Sequence, residues 1–408
     1  MMSIHEKSLE SMEQHLTKAL LACEISNRWP VYDSYEDELS KLANEILKHK
    51  KKWLTASDVF SIFINHINNM LSNNAPENKE LSGSLSSIIG KENIDLLLKH
   101  ILTFIDSIPR RYLIYFPLPR INLGDIDIQI TKKITLKSFS NDAPMNLLEV
   151  YAGKRKLSTK TLYICVDIDG YVLPSLSNIA VLQALSIFKQ LVHLGISINV
   201  FREGSDLFST WGLLSGIGQK YDLHAIVMNH NNQDNILGSA LLHRDVAGYI
   251  SKIEFNHDYT STVKAGCESV TACLSSSFST FDKVFNTEYE GDDIAAIRTA
   301  IEWAFDSNSN DNDTVAFIQV CIGLEALLGE GVGQEPLTDT LADRCAYLLG
   351  NSLKSRKDIK RNFKELYRLR SNLVHGRVPR LKQNESGFLR WGKDILDAVI
   401  HKELKYLK

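Results

Sequence analysis

Apolar positions along the chain follow two periods, and the switches between them divide it. Up to about residue 107 the spacing is helical. Met1 to Glu24 reads as a charged amphipathic segment, and Tyr35–Leu47 and Ala56–Leu71 carry apolar residues every three or four positions. Ser57 and Asp58 are expected to cap the second of these. Asn73 to Ser84 is polar and predicts a loop; Glu92–Ile108 predicts a helix that Pro109 ends. From Arg110 the period becomes two. Tyr112–Phe116, Ile126–Ile130, Ile134–Phe139 and Thr161–Ile168 read as strands. Asp169-Gly170 predicts a turn before Tyr171-Val172-Leu173, Asn178–Leu194 a helix on the sheet, and Ile196–Phe201 a further strand. Residues 206–282 mix apolar runs with Gly and Asn and give no firm pattern.

Beyond residue 283 helical spacing returns. Asp292–Phe305 is a helix, Ser307–Asp313 a loop, and Asp313 or Thr314 the cap of a nearly all-apolar helix, Val315–Leu328. Gly329, Gly331, Gly333 and Pro336 are expected to stop it. Thr338–Leu349, Ser355–His375 and Gly387–Leu407 follow, with Gly376 and Pro379 as stop signals for the second. The expected fold class is α+β and multi-domain. It comprises a helical N-terminal region (1–109), a mixed α/β middle region (110–282) and a C-terminal all-α bundle (283–408).

Composition narrows the classes. At 44% hydrophobic and 23% charged, the chain is globular. No stretch approaches the roughly 18 apolar residues of a membrane span, and Ala19–Cys23 is too short for a signal-peptide core. Cys23, Cys165, Cys267, Cys273, Cys321 and Cys345 form no CxxC pair, and the histidines show neither HxxxH nor HExxH spacing. A reducing, cytoplasmic protein without metal or cofactor is expected. Gly329–Gly333 follows a helix, not a strand, so it lacks the setting of a phosphate loop. Lys48–Trp53 is a basic cluster best read as a solvated helix end.

Charge changes the picture. The overall −3 argues against a nucleic-acid partner, but Asn351–Arg380 holds ten bases against two acids. That is +8 in thirty residues, so the other 378 carry −11. On a helix at about 100° per residue, Lys357, Arg361, Lys364 and Arg368 align as a basic ridge opposite Ile359, Phe363, Leu366 and Leu373. The ridge is expected to meet an anionic partner, because no acid shares its face. Arg370 falls within the apolar stripe. A guanidinium keeps its proton, so it must pair with a buried acid or line a cleft. Glu325, alone in an apolar helix, is the obvious partner. His375 stands at the helix C-terminus, where the dipole favours a protonated imidazole.

Arg370-Ser-Asn-Leu-Val-His375, followed by Gly376, resembles the Arg-x4–6-His motif of the HEPN superfamily (higher eukaryotes and prokaryotes nucleotide-binding). Phe317–Gly329, Leu341–Leu349 and Leu366–Gly376, taken in order, are similar to its Apea-like branch. The resemblance covers the last quarter to third of the chain. It implies a metal-independent endoribonuclease with Arg370 and His375 catalytic. Glu325, Ser371 and Asn372 would support or orient them, and Lys357, Arg361, Lys364, Arg368 and Arg377 would hold RNA. It also implies homodimerisation, which brings two motifs into one cleft. Ser371 departs from the Asn, Asp or His common in that slot. Members of this branch resemble bacterial anti-phage, abortive-infection proteins that cut RNA such as tRNA, so the N-terminal two-thirds would sense a phage-derived trigger. The alternatives are a non-catalytic HEPN module that binds RNA, a nucleotide or a protein, and an α/β sensor that the bundle merely dimerises.

Overall fold

The computed structural model describes residues 6–74, 81–138, 161–173, 178–204, 223–256, 258–259, 269–279, 281–285, 291–329 and 337–407. The chain is α+β, with a helical N-terminal part, a sheet in the middle and an all-helical C-terminal region. Contacts group it into two compact units, 1–112 with 168–182, and 113–167 with 183–408. The expected middle and C-terminal regions thus fall within one unit.

The first unit holds five helices among its described residues: α1 (Glu6–Ala22), α2 (Tyr32–Lys50), α3 (Ala56–Asn74), α4 (Leu85–Ile89) and α5 (Lys91–Asp106). Their apolar stripes close on one core that includes Leu16, Leu39, Ile46, Phe63, Leu97 and Ile101, with Tyr171 from the returning segment. The short strands β1 (Glu24–Ser26), β2 (Trp29–Pro30) and β3 (Gly83–Ser84) pair beside it. Asn27 and Arg28 take φ of 49° and 71°, the left-handed pair that a two-residue hairpin needs. Thr55 begins α3, not Ser57. Its backbone N–H donates to Asp58 Oδ2 at 2.7 Å, and its hydroxyl accepts from the Asp58 N–H at 3.2 Å, a capping box. Lys50 is buried and donates to the Asp106 carbonyl at 3.3 Å, so part of the basic cluster seals the end of α5.

Among the described residues, six strands build the main sheet: β4 (Arg110–Asn122), β5 (Asp127–Thr131), β6 (Ile134–Lys137), β7 (Thr161–Gly170), β9 (His224–Asn229) and β10 (Asn232–Leu241), in the order β10-β9-β4-β7-β6-β5. Central β7 is buried along almost its whole length and β4 from Tyr112 to Leu118, as strands covered on both faces must be. The expected turn at Asp169-Gly170 is absent. β7 runs through both residues, and Tyr171 packs into the helical core. Helix α6 (Ile179–Ser197) stacks Phe188 on Phe116 of β4 at 4.6 Å. It overruns the strand expected at Ile196. The strand that follows, β8 (Phe201–Glu203), starts later and pairs with β11 (Ile253–Phe255). The expected end of the third strand at Phe139, loop residues 75–80, Cys267, and the stop signals Gly331, Gly333 and Pro336 lie outside the described residues.

The remaining helices are α7 (Arg244–Ile250), α8 (Val270–Ser279), α9 (Asp282–Phe285), α10 (Asp292–Ser309), α11 (Asp313–Leu328), α12 (Leu337–Leu349), α13 (Leu353–Val374) and α14 (Ser386–Tyr406). Asn312, one residue before the expected cap, accepts the Thr314 N–H at 3.0 Å. The bundle is close-packed. A Cβ on Gly323 of α11 would lie 2.9 Å from Leu396, and one on Gly392 of α14 2.9 Å from Leu366. Polar contacts join sheet layer and bundle. On α6, Lys189 meets Asp306 of α10 at 2.8 Å and Glu302 at 3.5 Å, and Ser186 bonds Glu302. His193 meets Asp397 of α14 at 3.1 Å, and Tyr249 of α7 meets Phe305 edge-on at 5.2 Å. α6 is the one helix among the described residues long and apolar enough to cross a membrane, yet 61% of it is buried inside the protein. Its polar positions, Ser186, Lys189, Gln190 and His193, break the run in the sequence.

Candidate functional site

The candidate residues lie on α11, α13 and the turn after α13. Phe363, Leu366, Tyr367 and Leu369 bury one side of α13, with the Phe363 and Tyr367 rings stacked at 4.9 Å. The helix ends at Val374, and His375 is its cap residue. The His375 N–H donates to the Ser371 carbonyl at 3.0 Å, and Gly376 then turns the chain with a φ of 68°. That left-handed value suits glycine, which has no Cβ to clash. Asn372 contributes its carbonyl, which accepts from the N–H groups of Arg377 at 2.9 Å and Val378 at 3.2 Å. Leu381 N–H donates to Thr314 Oγ1 at 2.9 Å, which fastens the far end of the turn to α11. His375, Arg377 and Arg380 stand exposed on this anchored loop.

Arg370 meets Glu325, as its place in the apolar stripe requires. Its Nη2 lies 3.2 Å from Oε1 and 3.4 Å from Oε2, with the two side chains 30% and 25% exposed. The pairing is incomplete. Arg370 Nε is buried without an acceptor, and Glu325 Oε1 is within ion-pair distance but outside hydrogen-bond geometry. A buried polar group left unsatisfied costs about 1–3 kcal/mol. Tyr367, which the sequence reading passes over, completes the cluster. Its hydroxyl donates to the Cys321 carbonyl at 3.4 Å and reaches the Glu325 carboxylate. The signal was present: Tyr367 stands three positions before Arg370, one helical turn away. Burial, then the Glu325 charge, pushes the Cys321 thiol up. The cysteines at 23, 165, 273, 321 and 345 are all buried and free.

The basic ridge departs from its expectation. Lys364 pairs with Asp339, and Lys360 pairs with Asp343 at 2.6 Å, both acids coming from α12. Arg361 pairs with Asp358 at 3.1 Å and Arg368 with Glu365 at 2.5 Å, each within one turn of α13. The Lys364 contact lowers the Asp339 carboxyl, and the Arg368 contact lowers Glu365. Acids therefore do share this face. Exposed pairs of this kind contribute about 0–1 kcal/mol and cancel the local field. Lys354 and Lys357 at the start of α13, and Arg377 and Arg380 beyond its end, make no ion pair among the described residues. Ser371 and Asn372 make no side-chain hydrogen bond among the described residues; their contribution is through backbone carbonyls.

No hydrogen bond or ion pair among the described residues joins Arg370 and His375, which lie five residues apart across the end of α13. Among the described residues no three His, Cys, Asp or Glu side chains gather as a metal site. No protein-family model, curated protein or solved structure matches the chain.

Proposed function

We propose that the chain is a cytoplasmic, metal-independent endoribonuclease of HEPN type whose site is completed by a second copy. The observation that carries this reading is the half-buried Arg370, held by Glu325 with its Nε unsatisfied, next to an exposed imidazole on an anchored turn. The reaction is attack of a ribose 2′-OH on the adjacent phosphate. The O2′–P bond forms and the P–O5′ bond breaks, leaving a 2′,3′-cyclic phosphate and a 5′-hydroxyl. His375 takes the 2′-OH proton or gives one to O5′. Arg370 stabilises charge on the phosphorane-like transition state. Arg377 and Arg380 hold the flanking phosphates.

The second copy is supported by α11. That helix is apolar on every side, which in a soluble protein means cover on every side. Yet Val315 is 40% exposed, Ile318 and Ile322 are half-buried, and Val374 on neighbouring α13 is 48% exposed. A second copy covering this face is the dimer that the proposal requires. The remaining two-thirds of the chain would sense a phage-derived trigger, and the RNA cut would include tRNA. The pairing of Arg370 with Glu325 favours a second reading if the chain stays monomeric: a non-catalytic module that binds RNA. His375→Ala and Arg370→Ala, expressed beside wild type, separate the two by growth arrest and the integrity of total RNA. Arrest and cut RNA in wild type alone support the nuclease; intact RNA in all three leaves the binding module.

A further inference from the structure

The two most exposed large apolar side chains among the described residues are near neighbours. Tyr347, in the last turn of α12, is 70% exposed, and Leu353, the first residue of α13, is 71% exposed. Isolated surface hydrophobes need no explanation. These two flank one short turn, and three cations stand with them. The Arg356 guanidinium lies over the Tyr347 ring, 5.0 Å from its centroid. Its Nε donates to the Gly350 carbonyl at 3.0 Å, which holds the stack in place. Lys354 and Lys357 make no ion pair among the described residues, whereas Lys360, Arg361, Lys364 and Arg368 are each neutralised. Positive charge thus goes uncompensated where exposed aromatic and aliphatic surface begins. Helical rise along α13 sets this patch about 30 Å from His375.

We propose that Tyr347, Leu353, Lys354, Arg356 and Lys357 form a docking platform for single-stranded RNA, remote from the site of cleavage. The choice of RNA as polymer rests on the ribonuclease reading; the platform itself does not. An exposed ring already backed by a guanidinium offers a face on which an unpaired base stacks, whatever its sequence. The two lysines meet the flanking phosphates, and Leu353 adds apolar contact to the base or sugar. A duplex hides its base faces, so the exposed ring selects a single strand. The platform would hold a substrate strand whose other end reaches His375.

The test is fluorescence anisotropy of the full-length protein with a labelled 20-nucleotide 2′-O-methyl oligouridine, which has no 2′-OH to attack its phosphates, across a salt series. Tyr347→Ala weakens binding about fivefold or more, and Tyr347→Phe, which keeps the ring, restores it. Lys354→Glu with Lys357→Glu lowers the salt slope by about 1.4. All the altered residues are on the surface, and circular dichroism confirms that the variants fold. If wild type binds the oligonucleotide and both Tyr347→Ala and the double lysine variant bind it equally well, the platform is overturned and the surface passes to a protein partner. The ribonuclease reading then stands. If Tyr347→Ala loses binding in a chain that cuts no RNA, the platform stands and the nuclease falls. If wild type binds no RNA, both fall.

Discussion

Lys189 on α6 and Arg370 on α13 are both cations set into apolar helix faces of one unit, and their surroundings differ. Lys189 is 13% exposed and lies between two carboxylates, Asp306 at 2.8 Å and Glu302 at 3.5 Å, with Ser186 and Gln190 extending the network. Burial raises the Asp306 carboxyl while Lys189 pulls it down. That cluster joins the sheet layer to the bundle. Arg370 is 30% exposed, has one carboxylate at 3.2 Å, and leaves its Nε without an acceptor. It joins only neighbouring helices and borders a surface turn. A structural ion pair uses its donors within the fold, whereas a site keeps some for a ligand. On the proposed reading, the contrast assigns Lys189 to stability and Arg370 to the site.

Substitution should separate them. Arg370→Ala lowers RNA cleavage by about 10²–10³-fold and costs only about 1–2 kcal/mol of stability, because the Glu325 side chain left behind is 25% exposed. His375→Ala lowers cleavage by a similar factor and leaves the urea midpoint unchanged, because its ring is exposed. Lys189→Ala does the reverse. It costs about 3 kcal/mol, read by urea denaturation, and leaves cleavage per folded molecule intact. Equal stability losses for Lys189→Ala and Arg370→Ala would erase the distinction. Glu325→Gln sharpens it. The guanidinium loses its anchor, so cleavage falls about tenfold while oligonucleotide affinity holds.

Smaller effects concern the charges on α13. Arg377→Glu weakens RNA binding severalfold and lowers the salt slope by nearly one; Lys364→Glu, whose partner is Asp339, changes it less. Arg361→Ala shifts stability by no more than about 0.5 kcal/mol, measurable by thermal melting.

Much of this was legible in the sequence, and particular residues show where it stopped. The Arg370–Glu325 pair follows from two charges in apolar stripes, since neither could be buried alone. The helices of the bundle follow from period and stop signals; Gly376 ends α13 within a residue of expectation. The ridge was misjudged for a physical reason. Asp358 and Glu365 lie one turn from Arg361 and Arg368 and were visible, but Asp339 and Asp343 arrive only when α12 packs beside α13. The strand expected at Ile196 failed because α6 carries enough buried contact to extend to Ser197, overriding the β-branched run. Lys189, Ser186 and His193 gave no signal as a set, because their partners lie more than a hundred residues away on α10 and α14.

On the proposed reading, Arg370 and His375 from two copies cut RNA by transesterification. The most direct measurement is incubation of the purified full-length protein and its His375→Ala variant with 5′-labelled RNA in EDTA, followed by analysis of the product ends. Cleavage by wild type alone is expected, with 2′,3′-cyclic phosphate and 5′-hydroxyl termini. Intact RNA with wild type, loss of cutting on chelation, or equal cutting by His375→Ala would contradict it.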